Sequence, residues 1–513
     1  MAFLLGIDIG TSGAKAIVID GRGRIVSSAT AEYPLSRPHE GWSEQDPEDW
    51  WKGVCRAIRA AMSRGRRRVR ADEIPALGLS GQMHGSVLLG RDAATSGGRA
   101  KALRRAILWN DQRTAAQCAE IESAVGGRAR LVELVGNAAM TGFTLPKLLW
   151  VREHEPSLWK RVQSVVLPKD FVCLRLTGEL GTDVGDAGGT LLFNVDRREW
   201  NREVFEAIGI DPAVLPRAVE SSAVAGRVTK WAADQTGLCE GTPVVAGSGD
   251  NQAGAVGAGV VEPGMAMAML GTSGVILAHS DRPRKDLADP DHPGRLHTMC
   301  AATGPDGWCI TGVMLSAAGS LAWCRETIAP GIKFETLLRE AAKAPPGCDG
   351  LIFLPYLTGE RCPHADPHAR GAWIGLTSRH TRAHLVRAVI EGVTFGMGQI
   401  LDLVRGLGVQ VSSVRLSGGG NRSPLWRQIQ ADVYGCTVST TNTEEGGSAF
   451  GAAIMAGVGA GIWPGAAAAC RETVKLKETV RPSRKAAAKY ARAKATYDRL
   501  YDDLKSRFAE MAG

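Results

Sequence analysis

Short apolar runs, each broken by a glycine turn, set the rhythm of the chain. Leu4-Leu5-Gly6-Ile7-Asp8-Ile9 and Ala16-Ile17-Val18-Ile19 flank Gly10-Thr11-Ser12-Gly13, which predicts a hairpin over residues 3–9 and 14–19. The same tetrapeptide returns as Gly271-Thr272-Ser273-Gly274, between Met267-Ala268-Met269-Leu270 and Val275-Ile276-Leu277. Two matching hairpins in two halves of one chain predict a duplicated domain with a cleft between the copies. Other short apolar runs also end in polar or glycine-rich groups. Ala76–Leu79 leads to Ser80-Gly81-Gln82-Met83-His84-Gly85, and Ala106–Leu108 to Trp109-Asn110-Asp111. Pro243–Ala246 leads to Gly247-Ser248-Gly249-Asp250-Asn251, and Val414–Ser417 to Gly418-Gly419-Gly420-Asn421. Buried strands ending this way are characteristic of an open α/β sheet, whose ligands gather at the carboxyl ends of the strands.

Helical periodicity fills the intervals. A helix is expected from Pro47 to about Met62, capped by Ser43 or Asp46, and another after the loop at Gly142. Met314–Trp323 reads as a core helix, and Thr381–Val404 as a long one burying Leu385, Ala388, Val389 and Phe395. Glu445–Ala453 opens a helix of small residues suited to close packing. In the tail, Tyr490, Ala493, Tyr497, Leu500, Leu504 and Phe508 form one apolar face, expected to pack on the second domain. Leu351–Glu360 with Arg361 reads as a strand running into a loop, and no role is assigned to it.

Size and composition narrow the class. The 513 residues exceed one core, and 44% hydrophobic with 22% charged residues is ordinary globular usage. The densest basic cluster, Arg64, Arg66, Arg67, Arg68 and Arg70, has no interleaved aromatics and reads as a solvated surface, so no nucleic-acid partner is expected. Eleven scattered cysteines fit reduced thiols and a cytoplasmic setting. Asp8 interrupts the first apolar run, which therefore reads as a strand and not a leader. No run approaches the ~20 apolar residues that cross a bilayer, so no membrane partner is expected.

Chemistry enters at the turns. Backbone N–H groups and hydroxyls of Gly10–Gly13 can approach a polyphosphate closely. Asp8 beside that turn would repel the anion unless a cation lay between them, which suggests Mg²⁺ held through water, with Lys15 adding a point charge. Gln82 and His84 form a candidate substrate patch. Asp250 near a helix start is either a base or an ordinary cap.

These segments together resemble the FGGY carbohydrate kinase family. Gly142–Val151 fits its first signature, with Thr144, Lys147 and Trp150 in place, and Gly371–Leu376 through His384 and Glu391 fits its second. Trp42–Pro47, Ser80–Gly85, Leu108–Asp111, Leu167–Asp170 and Asp183–Thr190 are similar to the versions found in its D-xylulose kinases, and the likeness spans nearly the whole chain. It implies an α/β fold of two actin-like (ribonuclease-H-like) ATPase domains flanking a catalytic cleft, residues 1–242 and 243–513. The implied activity is ATP-dependent phosphorylation of D-xylulose to D-xylulose 5-phosphate. The alternative is a kinase of ribulose, another ketose or a polyol. Glycerol is disfavoured, because that site carries arginine and glutamate where this chain has Met83 and His84. The resemblance implies Asp250 as general base, a sugar site at Met83, His84, Asp250 and Asn251, and Mg²⁺ at Asp8 through water. It places the nucleotide against Gly10, Thr11, Ser12, Lys15, Gly271, Thr272, Gly418, Gly419 and Ser423. A homodimer is carried as an expectation, since family members are often dimers. An actin-like or heat-shock-type ATPase is the rival of another class, and a sugar-binding regulator without catalysis a third. The sugar segments and the pair Asp8 and Asp250 speak against both.

Overall fold

The computed structural model describes residues 3–63, 69–93 and 95–511. The chain forms two compact units. The first comprises 1–262, 280–309 and 445–475; the second comprises 263–279, 310–444 and 476–513. Of the basic cluster, Arg64, Arg66, Arg67 and Arg68 lie outside the described residues, while Arg70 meets Asp72 at 3.0 Å on the surface.

The first unit is built on a six-stranded sheet in the order Val224–Arg227, Pro243–Gly249, Leu77–Gly81, Phe3–Ile9, Gly13–Asp20, Ile25–Glu32. Three adjacent strands, Pro243–Gly249, Leu77–Gly81 and Phe3–Ile9, are parallel, pairing Asp8 with Ser80 and Ser80 with Ser248; the expected hairpin is antiparallel, with Asp8 opposite Lys15. Alternation sorts the core. Leu5, Ile7 and Ile9 face the helix Pro47–Ser63 through Trp50, Trp51 and Val54, while Leu4, Ile17 and Val245 face the helix Gly447–Gly459. That second helix lies almost on the sheet. A Cβ at Gly6 would stand 1.9 Å from the carbonyl oxygen of Ala449, and one at Gly78 2.0 Å from that of Ala452. The small residues of 445–453 therefore serve close packing, as their pattern predicts.

Sequence reading places a division at 242/243, whereas the compact units divide at 262/263. The reason is pairing: Pro243–Gly249 joins the first sheet beside Leu77–Gly81, and the helix Asp250–Gly257 packs with Ala253 and Val256 among the same core residues.

In the second unit the strands run Trp308–Met314, Gly274–Ser280, Gly264–Leu270, Val411–Ser417, Thr437–Thr441, Leu476–Val480. The second hairpin again pairs antiparallel, and Gly264–Leu270, Val411–Ser417 and Thr437–Thr441 are parallel neighbours. The long helix is Arg382–Gly406; Ala388, Val389 and Phe395 are buried, but Leu385 only in part, since the buried face begins at Ala383 and Val386. The last helix, Arg484–Met511, packs on this unit through Tyr490, Tyr497 and Phe508; the Tyr490 hydroxyl meets the buried pair Arg387–Glu391. All eleven cysteines are free thiols. Among the described residues no helix is long and apolar enough to cross a membrane.

Candidate active site

Three parallel strands of the first unit end side by side at Ile9, Gly81 and Gly249, and the residues just beyond those ends make the site. Phe3–Ile9 opens into Gly10–Gly13, Leu77–Gly81 into Gln82, Met83 and His84, and Pro243–Gly249 into Asp250 and Asn251. Asp8, Met83, His84, Asp250 and Asn251 are thus brought to one rim by the sheet.

Asp8 is pinned by a hydrogen bond from the Ser80 hydroxyl at 3.0 Å. Burial raises its carboxyl, while that hydrogen bond and the Lys15 charge opposite oppose the shift. Asp250 begins its helix after Gly249 with no side-chain cap below it. The helix N-terminus is expected to keep it ionised. In the structure burial first, then the negative charge of Asp8, outweigh the backbone N–H groups of Asn251 and Asp250, and its carboxyl is pushed up to about 7. The Ser448 hydroxyl holds the Asp250 carbonyl at 2.8 Å.

Met83 is buried, and the Asn251 amide stands 3.8 Å from its sulfur. His84 has φ +65°, a conformation a histidine rarely keeps without support. The support comes from the first family signature. Lys147 Nζ donates to the His84 carbonyl at 2.8 Å and to the Gly142 carbonyl at 2.7 Å, and the Thr144 hydroxyl donates to the same His84 carbonyl at 3.2 Å. Lys147 is fully buried, which lowers its ammonium to about 7 despite the charge of Asp111. The ring Nδ1 meets the Gly189 carbonyl at 2.8 Å, so in the neutral ring Nδ1 carries the proton and Nε2 is the acceptor.

The first turn rests on an amide network that sequence reasoning does not assemble. Gln45 Nε2 donates to the Thr11 carbonyl at 2.7 Å, Gln82 Nε2 to Gln45 Oε1 at 2.9 Å, the Thr11 hydroxyl to Gln82 Oε1 at 3.2 Å, and Trp109 Nε1 to that hydroxyl at 3.0 Å. The Tyr33 hydroxyl donates to the Gly10 carbonyl at 2.5 Å. Thr11, Gln45, Gln82 and Trp109 each lie in a segment that the sequence singles out, but nothing along the chain joins them, and Tyr33 carries no signal. Ser12 is exposed at the turn, and Lys15 Nζ donates to the Glu445 carbonyl. A second cluster joins two segments that the sequence singles out separately: buried Lys169 sits among Asp170, Asp183 at 2.9 Å and Asp186 at 3.7 Å. Asp183 also accepts from the Ser248 hydroxyl at 2.9 Å, which ties this cluster to the strand carrying Asp250.

The remaining expected residues lie in the second unit. Gly271, Thr272, Gly419 and Ser423 line one cavity of about 770 Å³, walled by Leu321, Phe334 and Leu338. Gly418 does not line the cavity itself but turns the chain into it: φ is +88°, and a Cβ there would stand 2.5 Å from the Leu270 carbonyl. The Ser423 hydroxyl caps the helix Pro424–Tyr434 by accepting from Trp426 N at 3.3 Å. An apolar slot with backbone amides at a glycine turn suits a nucleoside with attached phosphates. Among the described residues no group of three or more His, Cys, Asp or Glu forms a metal cage. One carboxylate at a turn suits Mg²⁺, which retains most of its waters when bridging to phosphate.

Comparison with known proteins points the same way. The model of the FGGY carbohydrate kinase N-terminal domain matches residues 3–257, and that of the C-terminal domain matches residues 266–460. The chain is 38% identical over 505 residues to a xylulose kinase of Bacillus subtilis (strain 168), covering 98% of both chains. It is 39% identical over 500 residues to one of Escherichia coli (strain K12), covering 98% of this chain and 99% of the other. Among solved structures, xylulose kinase from Rhodospirillum rubrum superposes with a TM-score of 0.89 at 29% identity, over 99% of this chain and 100% of that one. The fold is thus the two-domain α/β fold of these kinases, of the actin-like, ribonuclease-H-like class. With both family models matched and full-length relatives on either side, the chain belongs to the FGGY family of carbohydrate kinases and is a sugar kinase that uses ATP.

Proposed function

We propose that this kinase transfers the γ-phosphoryl group of ATP to D-xylulose, giving D-xylulose 5-phosphate. The observation that carries the reading is the setting of Asp250: a carboxyl with a pKa of about 7, on the same rim as Met83, His84 and Asn251. A general base is most effective when its pKa lies near the working pH. A sugar hydroxyl is far too weakly acidic to attack phosphorus unaided at neutral pH. Asp250 accepts its proton as the new bond forms. Asn251 and the Nε2 acceptor of His84 orient neighbouring hydroxyls, and Met83 forms an apolar wall. In the second unit the nucleoside occupies the slot at Phe334 and Gly419, and its phosphates run toward Gly271 and Thr272. In the first, the Gly10–Ser12 turn and Lys15 receive phosphate oxygens. Mg²⁺ bound through water to Asp8 would offset phosphate charge.

The relatives named xylulose kinase support D-xylulose over other ketoses. A panel of ketoses and polyols with ATP and Mg²⁺, read by coupled ADP release, tests it. The expected result is strongest stimulation by D-xylulose. Preference for ribulose or a polyol would replace the sugar and keep the chemistry, whereas ATP turnover indifferent to every sugar would end the kinase reading.

A further inference from the structure

The strand that carries Asp250 does not run straight to it. Val245 pairs with Gly78 and Ser248 with Ser80, so three steps along Pro243–Gly249 face two along Leu77–Gly81. One extra residue on one side of a pair is a β-bulge, and bulges re-aim the side chains beyond them. A straight strand would set Ser248 opposite Gly81, one register further on, and turn every later side chain to the other face. The bulge therefore decides how the chain leaves the sheet toward Asp250. Gly247 makes it possible: φ is +73°, and a Cβ there would stand 1.8 Å from the Leu79 carbonyl oxygen.

Two grips hold the bulge. Its backbone is held by the preceding segment: Ala246 N donates to the Ala223 carbonyl at 2.9 Å and Gly247 N to the Ser221 carbonyl at 2.8 Å. The residue just after it is held by its side chain, the Ser248 hydroxyl donating to Asp183 Oδ2 at 2.9 Å. The same oxygen accepts the Ser221 hydroxyl and the Gly185 N–H, both at 2.8 Å, while Asp183 Oδ1 meets Lys169 Nζ at 2.9 Å. One carboxylate thus ties Ser248 to the residue whose carbonyl receives Gly247. Asp183, Ser248 and Lys169 are fully buried and Ser221 nearly so. Away from water, hydrogen bonds to a charged acceptor are strong and fix their partners. Only Gly249 separates Ser248 from Asp250.

We infer that Asp183, with its counter-ion Lys169, is a positioning residue for the base: through Ser248 it holds the bulge that sets Asp250 on the rim. This rests on the reading of Asp250 as general base. The cluster touches no substrate in this role and acts only by fixing where the carboxylate stands. A base displaced by about 1 Å can cost on the order of 10²-fold in rate, so a hydrogen bond two residues away has leverage on the chemical step.

Single-turnover phosphoryl transfer from ATP to D-xylulose, with steady-state KM for both substrates, tests it in the intact chain and in Ser248→Ala, Ser248→Cys, Ser27→Ala and Asp250→Asn. Ser248→Ala is expected to slow transfer about 10- to 100-fold while each KM stays within about twofold, the split that separates a misplaced base from a damaged binding site. Ser248→Cys keeps the shape with a weaker donor. It is expected to fall between wild type and Ser248→Ala, and it keeps the question answerable if the alanine variant does not fold. Ser27→Ala removes another serine hydrogen bond of the same sheet, to the Ala61 carbonyl at 2.6 Å, and is expected to keep the wild-type rate. Transfer unchanged in both Ser248 variants would overturn the inference. So would an equal slowing in Ser27→Ala, which would make the cluster a support for the sheet alone. Near-normal transfer in Asp250→Asn would end the base reading and this inference with it.

Discussion

At the scale of single residues, one carboxyl carries both the proposed base role and a folding penalty. In the unfolded chain Asp250 titrates near the ordinary value of 3.8, and in the folded protein near 7. Between those values the folded protein holds a proton that the unfolded chain has lost. Stability therefore falls as pH rises through that window, and the full penalty is present above about 7. Asp250→Asn removes the ionisable group, so its melting temperature at pH 8 is expected to exceed wild type by roughly 2–4 °C or more, with the difference shrinking toward pH 4. The same variant is expected to lose about 10²–10⁴-fold in kcat. Steady-state kinetics and thermal melts across pH check both. In the wild type, kcat/KM should fall as pH drops through about 7, because only the ionised carboxylate accepts a proton. A flat profile over pH 6–8 would count against Asp250 as base.

At the scale of elements, the helix that carries the first family signature holds the backbone of the proposed sugar site. Thr144–His154 lies under His84, and its Lys147 and Thr144 side chains hold the His84 backbone in a left-handed conformation. Lys147→Met would leave the Gly142 carbonyl without its donor and the His84 carbonyl with Thr144 alone, at about 1–3 kcal/mol for the orphaned group. The expected phenotype is a higher KM for the sugar, about tenfold or more, with KM for ATP little changed; an equal rise in both would mean a general loss of structure. The helix Gly447–Gly459 makes the opposite kind of demand. Gly78→Ala drives a Cβ into backbone 2.0 Å away, so the helix must shift. A loss of about 1–3 kcal/mol or more is expected, measurable by urea unfolding.

For the whole molecule, the order of the chain and the order of the units differ. Residues 445–475 return to the first unit after the chain has built most of the second. They cover Leu4, Ile17, Val245 and Ala253. A fragment ending at residue 262 leaves that sheet face open and is expected to bind a hydrophobic dye and aggregate. Joining 280–309 and 445–475 to it through flexible linkers should restore a soluble, cooperative unit, as size-exclusion chromatography and thermal unfolding would show, whereas joining 280–309 alone should not. Equal behaviour of the two joined fragments would mean the helix contributes little to that core.

The sequence determined by itself whatever depends on neighbours along the chain. The two hairpins, their Gly-Thr-Ser-Gly turns, the helix starting at Pro47 and the apolar face of the tail all arise from local periodicity and turn residues. So does the resemblance that named Asp8, Asp250, Met83 and His84. What local pattern cannot express, the tertiary structure decided. Gln45, Gln82, Thr11 and Trp109 are up to 98 positions apart and meet only because parallel strands end side by side. Pro243–Gly249 reads as the start of a second half, but burial of Val244 and Val245 beside Leu77–Gly81 is satisfied in the first sheet. The N-terminus of a helix predicts an ionised Asp250. Its pKa near 7 comes instead from enclosure and from Asp8, 242 residues earlier, because desolvation and charge act through space and not along the chain.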